Sequence, residues 1–385
     1  MKKKILFLAS ESITLKSGGG LANRAFLDSL LSHYPDSVDV VQLQHSPADT
    51  DRPHYFFVPP LGKARKLGYM MQGHFHRLYR WLPQFLKIHG SEYSHCVMNQ
   101  TYYGELIPVI QQYGIKVAVI HHNYEVRFQM DNRLPATLYG LTPRFVLRNE
   151  RMALELADAN LYLTESDYQT LGSAYGRQGR GTHAVVGIFE TADAQLPIPP
   201  ADPLPTRTIA ICGSLSNKQT EQSVREVFER YYDIIADVFD QDFRLIITGR
   251  DPGQYIRRES ERRLNVSLIP NPEHIGDIIR QAGIFLCPVN CGSGLKLRIM
   301  DGLRAGLPIL THNVSAQGYE ALTGQPWFNT YNDEASFRHG LRQTIAVIDS
   351  TPDLRQKVFN SYLSQFSFAN GDRRFILALT PFLES

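Results

Sequence analysis

A stretch of twelve residues with five prolines, Gln195 to Thr206, divides this chain into two halves. Proline lacks a backbone N–H and fixes φ, so the stretch cannot form a helix interior or a central strand, and it predicts a stiff linker. On both sides of it, short apolar segments alternate with helical patterns, which is typical of parallel sheets covered by helices. The predicted fold class is α/β, with two doubly wound, Rossmann-like domains facing each other across a cleft.

The alternation also predicts the domain boundaries. Residues 1–190 are expected to form an N-terminal domain, 191–207 the linker, 208–365 a C-terminal domain, and 366–385 a helix that packs back on the N-terminal domain. A turn at Ser17 to Gly20 is predicted to precede the first helix, Leu21 to Ser32. The predicted strands are Lys4 to Ala9, Ser37 to Leu43, Ser94 to Met98, Lys116 to Ile120, Ala159 to Leu163, His183 to Val186, Thr208 to Cys212, Phe243 to Thr248, Val266 to Ile269 and Ala282 to Val289.

A glycine-rich segment of the second half carries the strongest functional signal. The strand Ala282 to Val289 is followed by a Gly-Ser-Gly turn and by a helix predicted to hold Lys296 and Arg298 in its first turn and Asp301 one turn further. Backbone N–H groups at such a turn, together with two cations, favour an anionic group. The segment predicts a pyrophosphate site in which Asp301 reaches a hydroxyl-rich ring, as in a nucleotide-sugar. The alternative is an ordinary turn with solvated charges and an acid favoured by the helix dipole.

Bulk composition excludes several classes of function. A net charge of +2 gives no argument for nucleic-acid binding, and no apolar run is long enough to predict a transmembrane helix. The basic and then apolar N-terminus reads as a first strand, so a cytoplasmic location is expected. The four cysteines lack the spacing of a metal site. Gly18 to Gly20 do not form the Gly-x-Gly-x-x-Gly fingerprint, so no nicotinamide cofactor is expected. Their turn would let backbone approach a sugar or phosphate, or would be a flexible loop.

Several segments of the chain match a known family in order. In the second half they are CGSLSN, IITGRDP, NPEHIGDIIRQAGIFLCPV and GSGLKLRIMDGLRAGLPILTHNVSAQGYE, and in the first half they are IHHNYEVRF and NERMALELADANLYLTESDYQTL. On these residues the chain resembles the GT-B glycosyltransferases, most closely glycosyltransferase family 4, the group 1 glycosyltransferases. The resemblance covers nearly the whole chain and is strongest from Thr208 to Glu320.

The resemblance implies a glycosyltransferase that uses a nucleoside-diphosphate sugar, retains anomeric configuration, needs no cofactor and serves bacterial surface polysaccharide or glycoconjugate assembly. It assigns catalytic roles to His122, Glu125, Lys296 and Arg298, with His122 facing the sugar. It places Gly18, Gly19 and Gly20 on the acceptor side. It assigns donor contacts to Gly213, Ser214, Asn217, Lys218, Arg250, Asn271, His274, Ser293, Gly294, Leu295 and Asp301.

The chain departs from the family pattern at three of these positions. The family usually carries two glutamates eight positions apart, where this chain has Ser293 and Asp301. Asp301 is one methylene shorter than glutamate, which reduces its reach to a ribose. Ser214 stands where relatives often have arginine, and Lys218 is a candidate to replace that charge.

A basic segment of the first half suggests how an acceptor is met. No Asp or Glu occurs from Pro53 to Ser91, and apolar residues recur there at helical spacing while Arg77, Arg80 and Lys87 share another face. Such a stretch suits anionic lipid, which predicts a lipid-linked acceptor and peripheral contact with the inner face of a membrane. The alternative is a solvated face of a helix packed on its own domain.

The sequence thus predicts glycosyl transfer from a nucleotide-sugar donor to a hydroxyl of a glycan or lipid-linked acceptor, with no nucleic-acid partner. No Asp-x-Asp metal motif ends a predicted strand, so the leaving diphosphate is expected to be stabilised by Lys296, Arg298 and helix-terminal amides without a metal. Two alternatives remain open: a nucleotide-sugar epimerase on the same scaffold, and a non-catalytic nucleotide-sugar-binding subunit.

Overall fold

The computed structural model describes residues 4–9, 18–43, 53–72, 74, 77–131, 142–176, 179–194, 203–292 and 294–385. The chain forms two units: Met1–Ala194 with Phe366–Ser385, and Gln195–Gln365. Residues 195–202 of the predicted linker lie outside the described residues, as does Ser293. Among the described helices, none combines the length and the apolar character that crossing a bilayer requires.

The first unit contains a parallel sheet whose described strands are ordered β3-β2-β1-β4-β5-β6-β7. The strands are β1 (Lys4–Ala9), β2 (Val38–Leu43), β3 (Tyr55–Val58), β4 (Tyr93–Asn99), β5 (Lys116–His121), β6 (Ala159–Tyr162) and β7 (Thr182–Val185). The helices between them are α1 (Gly18–His33), α2 (Lys63–Met71), α3 (Leu78–His89), α4 (Ile107–Gln111), α5 (Glu125–Asp131), α6 (Thr142–Leu156) and α7 (Glu165–Tyr175). Strands β2 and β3 are added on one side of β1 and strands β4 to β7 on the other, so the order of strand addition reverses between β1 and β4.

The two faces of this sheet have separate hydrophobic cores. Alternate residues of a strand point to opposite faces, and along β1 Leu6 and Leu8 join one buried cluster while Ile5, Phe7 and Ala9 join the other. Both faces are therefore covered, which explains why the strands read as almost continuous apolar runs.

The second unit repeats the plan with a parallel sheet ordered β10-β9-β8-β11-β12-β13. Its strands are β8 (Thr208–Ser214), β9 (Arg244–Arg250), β10 (Val266–Pro270), β11 (Ile284–Cys287), β12 (Ile309–His312) and β13 (Phe328–Tyr331). Its helices are α8 (Lys218–Glu226), α9 (Tyr232–Val238), α10 (Gln254–Glu261), α11 (Ile275–Ile279), α12 (Arg298–Arg304), α13 (Glu334–Ser350) and α14 (Leu354–Phe366), with a π-helical turn at Val227–Tyr231 joining α8 to α9.

Two local expectations from the sequence are wrong, and one strand was not predicted. Gly18 to Gly20 belong to the first turn of α1 and do not form a preceding turn. The helix after the Gly-Ser-Gly turn begins at Arg298, so Lys296 lies in the loop before it. Tyr55–Val58 forms an edge strand within the basic segment, where helical spacing alone was considered. In each case a backbone pairing or a helix start is decided by neighbours that periodicity does not reveal.

The last helix, α15 (Phe368–Leu383), lies in the first unit and completes one of its cores. Phe375, Leu379 and Phe382 are buried there, and the Phe375 ring lies 4.9 Å from that of Phe26 on α1. The Arg374 guanidinium donates hydrogen bonds to the carbonyls of Val186 and Ile188, which follow β7. The helix is therefore an integral part of the first unit.

Replacing Phe375 with Ala should lower the free energy of unfolding of the first unit by about 3–5 kcal/mol, because a fully buried ring leaves a cavity. The matched control is Leu377→Ala on the same helix, where the side chain is 74% exposed and a change of only about 0.5 kcal/mol is expected. Chemical denaturation followed by circular dichroism measures both. Equal losses for the two variants would contradict the packing of α15.

Candidate functional site

The strand order of the second unit places a crevice between β8 and β11. Chain connections lead away from these neighbouring strands on opposite sides of the sheet, and ligands of doubly wound folds bind at such a switch point, at the carboxyl ends of the strands. Two loops emerge there: 215–217 after β8, and 288–297 after β11. Most residues that the sequence assigned to the donor lie at the end of β8, on these loops or in the first turn of the helices that follow them.

Gly213 and Arg298 meet at the end of β8. A Cβ added at Gly213 would lie 2.9 Å from the Nη1 atom of Arg298, so the guanidinium packs directly over the glycine backbone. The φ of Gly213 is +149°, a value that other residues rarely adopt. A Cβ on Gly249, at the end of β9, would lie 1.8 Å from the carbonyl oxygen of Gly213. Both glycines are therefore required for the close approach of these backbones.

The two terminal nitrogens of the Arg298 guanidinium differ in their hydrogen bonding. Its Nη2 donates to the hydroxyl of Thr220 on α8 at 3.1 Å, whereas Nη1 is buried and has no acceptor among the described residues. A buried, charged donor without an acceptor is costly. An anionic oxygen placed beside Gly213 would satisfy it with a charge-assisted hydrogen bond.

Lys296 reinforces the positive charge of the loop from within. Its Nζ donates to the carbonyls of Gly292 and Gly294 at 3.0 and 3.1 Å, so the ammonium folds back on the glycine turn. The turn packs tightly on α8, since a Cβ at Gly292 would lie 2.6 Å from the side chain of Gln219. Gly294 also has a positive φ of +77°.

Asp301 reaches the same strand end from the first turn of α12. Its carboxylate accepts a hydrogen bond from the Cys212 thiol at 3.8 Å and lies 4.0 Å from Arg304. Burial raises the pKa of Cys212 well above its ordinary value, so the thiol stays neutral and acts as a donor. Asp301 remains one third exposed on its side chain. Cys212 and Thr220 were not singled out from the sequence, because only the folded sheet brings them beside Arg298 and Asp301.

Four further donor candidates lie on the rims of these loops. Asn217 caps α8, with its Oδ1 accepting from the backbone N–H of Gln219 at 2.9 Å, and is thereby committed to the helix. Ser214 and Lys218 flank it, and the Lys218 side chain is exposed. Leu295 is half-buried between Gly294 and Lys296.

The remaining candidates lie beyond β9 and β10. Arg250 is exposed at the end of β9. Asn271 has a φ of +49°, and its side chain accepts a hydrogen bond from the backbone N–H of Asp251 at 2.9 Å. The His274 side chain is 72% exposed at the start of α11. These three form an open polar rim at the carboxyl end of the sheet.

Three residues that hold the loop after β11 in place were missed by sequence reasoning. Tyr319 donates its hydroxyl to the Lys296 carbonyl at 3.0 Å, and Ser315 donates to the Val289 carbonyl at 2.5 Å. Glu226, at the end of α8, accepts a hydrogen bond from Asn290. The residue after Glu226 begins the π-helical turn, a feature often found near functional sites. No sequence pattern marks these contacts.

The switch point of the first unit, between β1 and β4, carries a chain of buried polar groups. The Asn99 amide donates to Asn23 Oδ1 at 2.7 Å, which turns Asn99 Oδ1 toward His122 Nε2 at 2.5 Å. His122 Nε2 must therefore carry the proton. Burial lowers the pKa of His122 to about 4, so the imidazole is neutral at pH 7. Asn23 lies close behind Gly18 to Gly20 on α1, and its Nδ2 has no partner among the described residues.

The neighbouring histidine serves the core. His121 is fully buried, contacts Asn160 Oδ1 through Nε2 at 2.8 Å and stacks on the Tyr162 ring at 4.9 Å. These contacts show that the His121 side chain points toward β6. Because consecutive residues of an extended chain point to opposite faces, the next residue, His122, points the other way, toward Asn99.

Glu125 lies at the start of α5 and is 1% exposed. Tyr102 donates to its Oε2 at 2.5 Å and Asn123 donates to its Oε1 at 3.2 Å. Its carboxylate is thus occupied by donors of the first unit. Across the described residues, no group of three or more His, Cys, Asp or Glu side chains is placed to hold a metal ion.

Comparisons with known proteins agree with this architecture. Residues 206–346 match the sequence model of the family described as Glycosyl transferases group 1. The matched residues all lie within the second unit. A search of curated protein sequences found no match.

Solved structures extend the likeness to the whole chain. Anabaena HepE in complex with UDP superposes with a TM-score of 0.65 at 14% identity, over 98% of this chain and 100% of that one. Sucrose-phosphate synthase from Thermosynechococcus elongatus gives 0.69 at 14% identity over 100% of both chains. WaaG, a glycosyltransferase involved in lipopolysaccharide biosynthesis, gives 0.66 at 14% identity over 97% of this chain and 99% of that one. The predicted GT-B fold, with two Rossmann-like domains, is confirmed; membership of family 4 stays a prediction.

Gly213→Ala should displace the Arg298 guanidinium, because the new Cβ would enter its space. We expect inorganic pyrophosphate to bind at least about tenfold more weakly, since one charge-assisted contact is lost. The matched control is Gly324→Ala, at a glycine of the same unit that also has a positive φ but has no atom within 4 Å of the added Cβ. Both variants carry the strain of a positive φ. Calorimetric titration with inorganic pyrophosphate therefore separates the effect of that strain from the effect of the collision with Arg298. Equal affinities in the two variants would contradict the contact.

Proposed function

We propose that this group 1 glycosyltransferase moves a glycosyl group from a nucleoside-diphosphate sugar to a hydroxyl of an acceptor. The observation that carries the proposal is the buried Nη1 of Arg298, which has no acceptor among the described residues and lies over Gly213 at the switch point between β8 and β11. A diphosphate supplies the anionic oxygens that this position lacks. The structures of Anabaena HepE with UDP and with UDP-glucose support the class of donor.

The chemistry proposed for the second unit is stabilisation of the leaving diphosphate. Negative charge develops on the diphosphate as its bond to the sugar breaks, and preorganised cations lower the energy of that state. Arg298 offers a fixed guanidinium, and Lys296 holds an ammonium within the glycine turn. Because these two cations supply the charge, the proposed reaction needs no metal ion.

The proposed contribution of the first unit is recognition on the sugar and acceptor side. His122 is neutral and is anchored through Nε2, so its Nδ1 is an acceptor for a sugar hydroxyl. Glu125 shapes the turn after His122, and Gly18 to Gly20 give a side-chain-free start to α1. Retention of configuration is proposed on the family resemblance.

Two helices of the first unit support a lipid-linked acceptor. Arg65 and Lys66 on α2 and Arg80 and Lys87 on α3 are exposed, whereas Arg77 is half-buried and does not share their access to solvent. Met71 and Ile88, on the same helices, are 81% and 75% exposed. Exposed apolar side chains among basic ones suit the surface of an anionic membrane. A role in bacterial surface polysaccharide or glycoconjugate assembly is proposed on this basis.

Replacing Lys296 and Arg298 together with Ala should weaken UDP binding by about a hundredfold or more and leave uridine binding nearly unchanged. Each charge-assisted contact contributes roughly 1.5–3 kcal/mol and is made only to phosphate. Lys357→Ala, which removes an exposed cation elsewhere in the second unit, is the control.

Calorimetric titrations measure the affinities for UDP and uridine. A transfer assay in EDTA tests whether the reaction proceeds without a metal ion. A parallel loss for uridine and UDP would contradict the phosphate assignment. Tight UDP binding by the wild-type protein without transfer to any acceptor would instead favour a non-catalytic binding subunit, and conversion of the donor sugar without an acceptor would favour an epimerase.

Changing Arg65, Arg80 and Lys87 to Gln should release the protein from anionic vesicles at low salt. Each basic residue near such a surface contributes about 1 kcal/mol, so binding should fall by at least about tenfold. The control changes three exposed arginines of the second unit, Arg257, Arg258 and Arg262, to Gln. Vesicle sedimentation at low and high salt measures both variants. Failure of the wild-type protein to bind, or equal loss in the control, would leave only the solvated-face alternative.

A further inference from the structure

One turn of α6 holds two neighbouring loops at the carboxyl end of the first sheet. The loop after β4 contains Gly104 and Glu105, and the loop after β5 runs from His122 to the start of α5 at Glu125. Asn149 and Glu150, consecutive residues of α6, are both completely buried. Each of these two side chains accepts a backbone N–H from one of the loops. A helix therefore fixes the backbone on which the residues of the first unit's polar site are mounted.

Glu150 holds the loop after β5. Its Oε1 accepts the backbone N–H of Glu125 at 2.7 Å, and the backbone N–H of Val126 is a further hydrogen-bond donor to the carboxylate. Its Oε2 accepts the Tyr175 hydroxyl of α7 at 2.7 Å. The carboxyl group thus caps the start of α5, three to four residues after His122. Because these donors are buried, no solvent replaces the acceptor if Glu150 is removed.

The neighbouring loop is held in the same way and is tied to the first. Asn149 Oδ1 accepts the backbone N–H of Glu105 at 3.0 Å, and a Cβ at Gly104 would lie 2.0 Å from the Asn149 carbonyl oxygen. Tyr102 of this loop donates to the Glu125 carboxylate at 2.5 Å. The two loops and α6 therefore form one closed hydrogen-bonded network.

Burial of the Glu150 carboxyl group disfavours its charged form. Burial raises the pKa of Glu150 from its ordinary value of 4.5 to about 8, against the opposing effect of its hydrogen-bond donors. The proton is then bound more tightly in the folded state. The resulting stabilisation is present below pH 4.5 and is lost as the pH rises through about 8. The groups that face the carboxyl are Glu125, Tyr102, Tyr124 and Tyr175. Perturbed acids of this kind concentrate at functional sites.

We propose that Glu150 is a positioning residue for glycosyl transfer, acting through the turn from His122 to Glu125. It does not touch the substrate; it sets where the His122 ring lies against Asn99. The inference rests on the proposed function, and it assigns to α6 a role that periodicity in the sequence does not reveal.

The test compares Glu150→Ala with two milder variants. Glu150→Ala removes the acceptor for the Glu125 N–H, and we expect kcat for transfer to fall by about a hundredfold, as for a reacting group misplaced by about 1 Å. The donor KM and the UDP affinity should stay unchanged, because the nucleotide binds to the second unit. Glu150→Gln retains an oxygen acceptor and should remain within about threefold of wild type. Tyr175→Phe removes only the donor to Oε2 and should show an intermediate loss. Arg148→Ala, on the exposed face of α6, is the control.

A second readout reports the position of His122 directly. Its imidazole pKa is lowered to about 4 by burial, and in Glu150→Ala it should rise toward its ordinary value of 6.5 as the turn loosens. Histidine titration by NMR, with His122→Ala to assign the signal, measures this shift without any substrate. Tyr175→Phe serves the same readout if Glu150→Ala does not fold.

The outcomes separate the two claims. Absence of transfer by the wild-type protein with any donor would overturn the proposed function, while the histidine titration still tests the position of His122. Transfer by wild type together with unchanged kcat and an unchanged His122 pKa in folded Glu150→Ala would overturn the positioning role. A loss of kcat in Glu150→Ala that Glu150→Gln does not restore would also contradict positioning by hydrogen-bond acceptance.

Discussion

The packing of the Arg298 guanidinium over the backbone of Gly213 is the contact on which the second unit's site depends. It requires a glycine at the end of β8, the Thr220 hydroxyl on α8 to hold Nη2, and a helix that starts at Arg298 and not earlier. Within the part of the chain that the structure describes, it leaves the buried Nη1 of this permanent cation without an acceptor. An anion beside a buried cation stabilises it, and without one the unsatisfied donor lowers the stability of the fold. A diphosphate supplies such an anion.

The polar groups at the carboxyl end of the first unit's sheet differ from the cations of the second unit. These groups are neutral or internally paired: His122 is hydrogen-bonded to Asn99, and the Glu125 carboxylate accepts from Tyr102. The neutral imidazole of His122 and the amide of Asn99 are suited to hydrogen bonds with hydroxyl groups. This division agrees with a reaction in which the anionic leaving group and the hydroxyl-bearing partners need different environments. The match to the family model of group 1 glycosyl transferases, residues 206–346, lies in the second unit.

Much of the fold follows from the sequence, because short apolar strands and glycine turns are local signals. The strand Lys4–Ala9 and the segment around Arg298 were predicted in this way. The start of α12 was not, since Lys296 is drawn into the loop by the carbonyls of Gly292 and Gly294. Glu150 was visible only as an acidic residue of a long helix. Its partners lie 25 positions away in both directions along the chain, and such pairings follow from topology and not from periodicity.

A crystal structure of the protein with UDP tests the central claim most directly. The account predicts that the terminal phosphate lies at the carboxyl ends of β8 and β11, with an oxygen about 3 Å from Arg298 Nη1 and the phosphate facing the Gly213 backbone. Density for the diphosphate elsewhere, with Arg298 Nη1 still without an anionic partner, would contradict it.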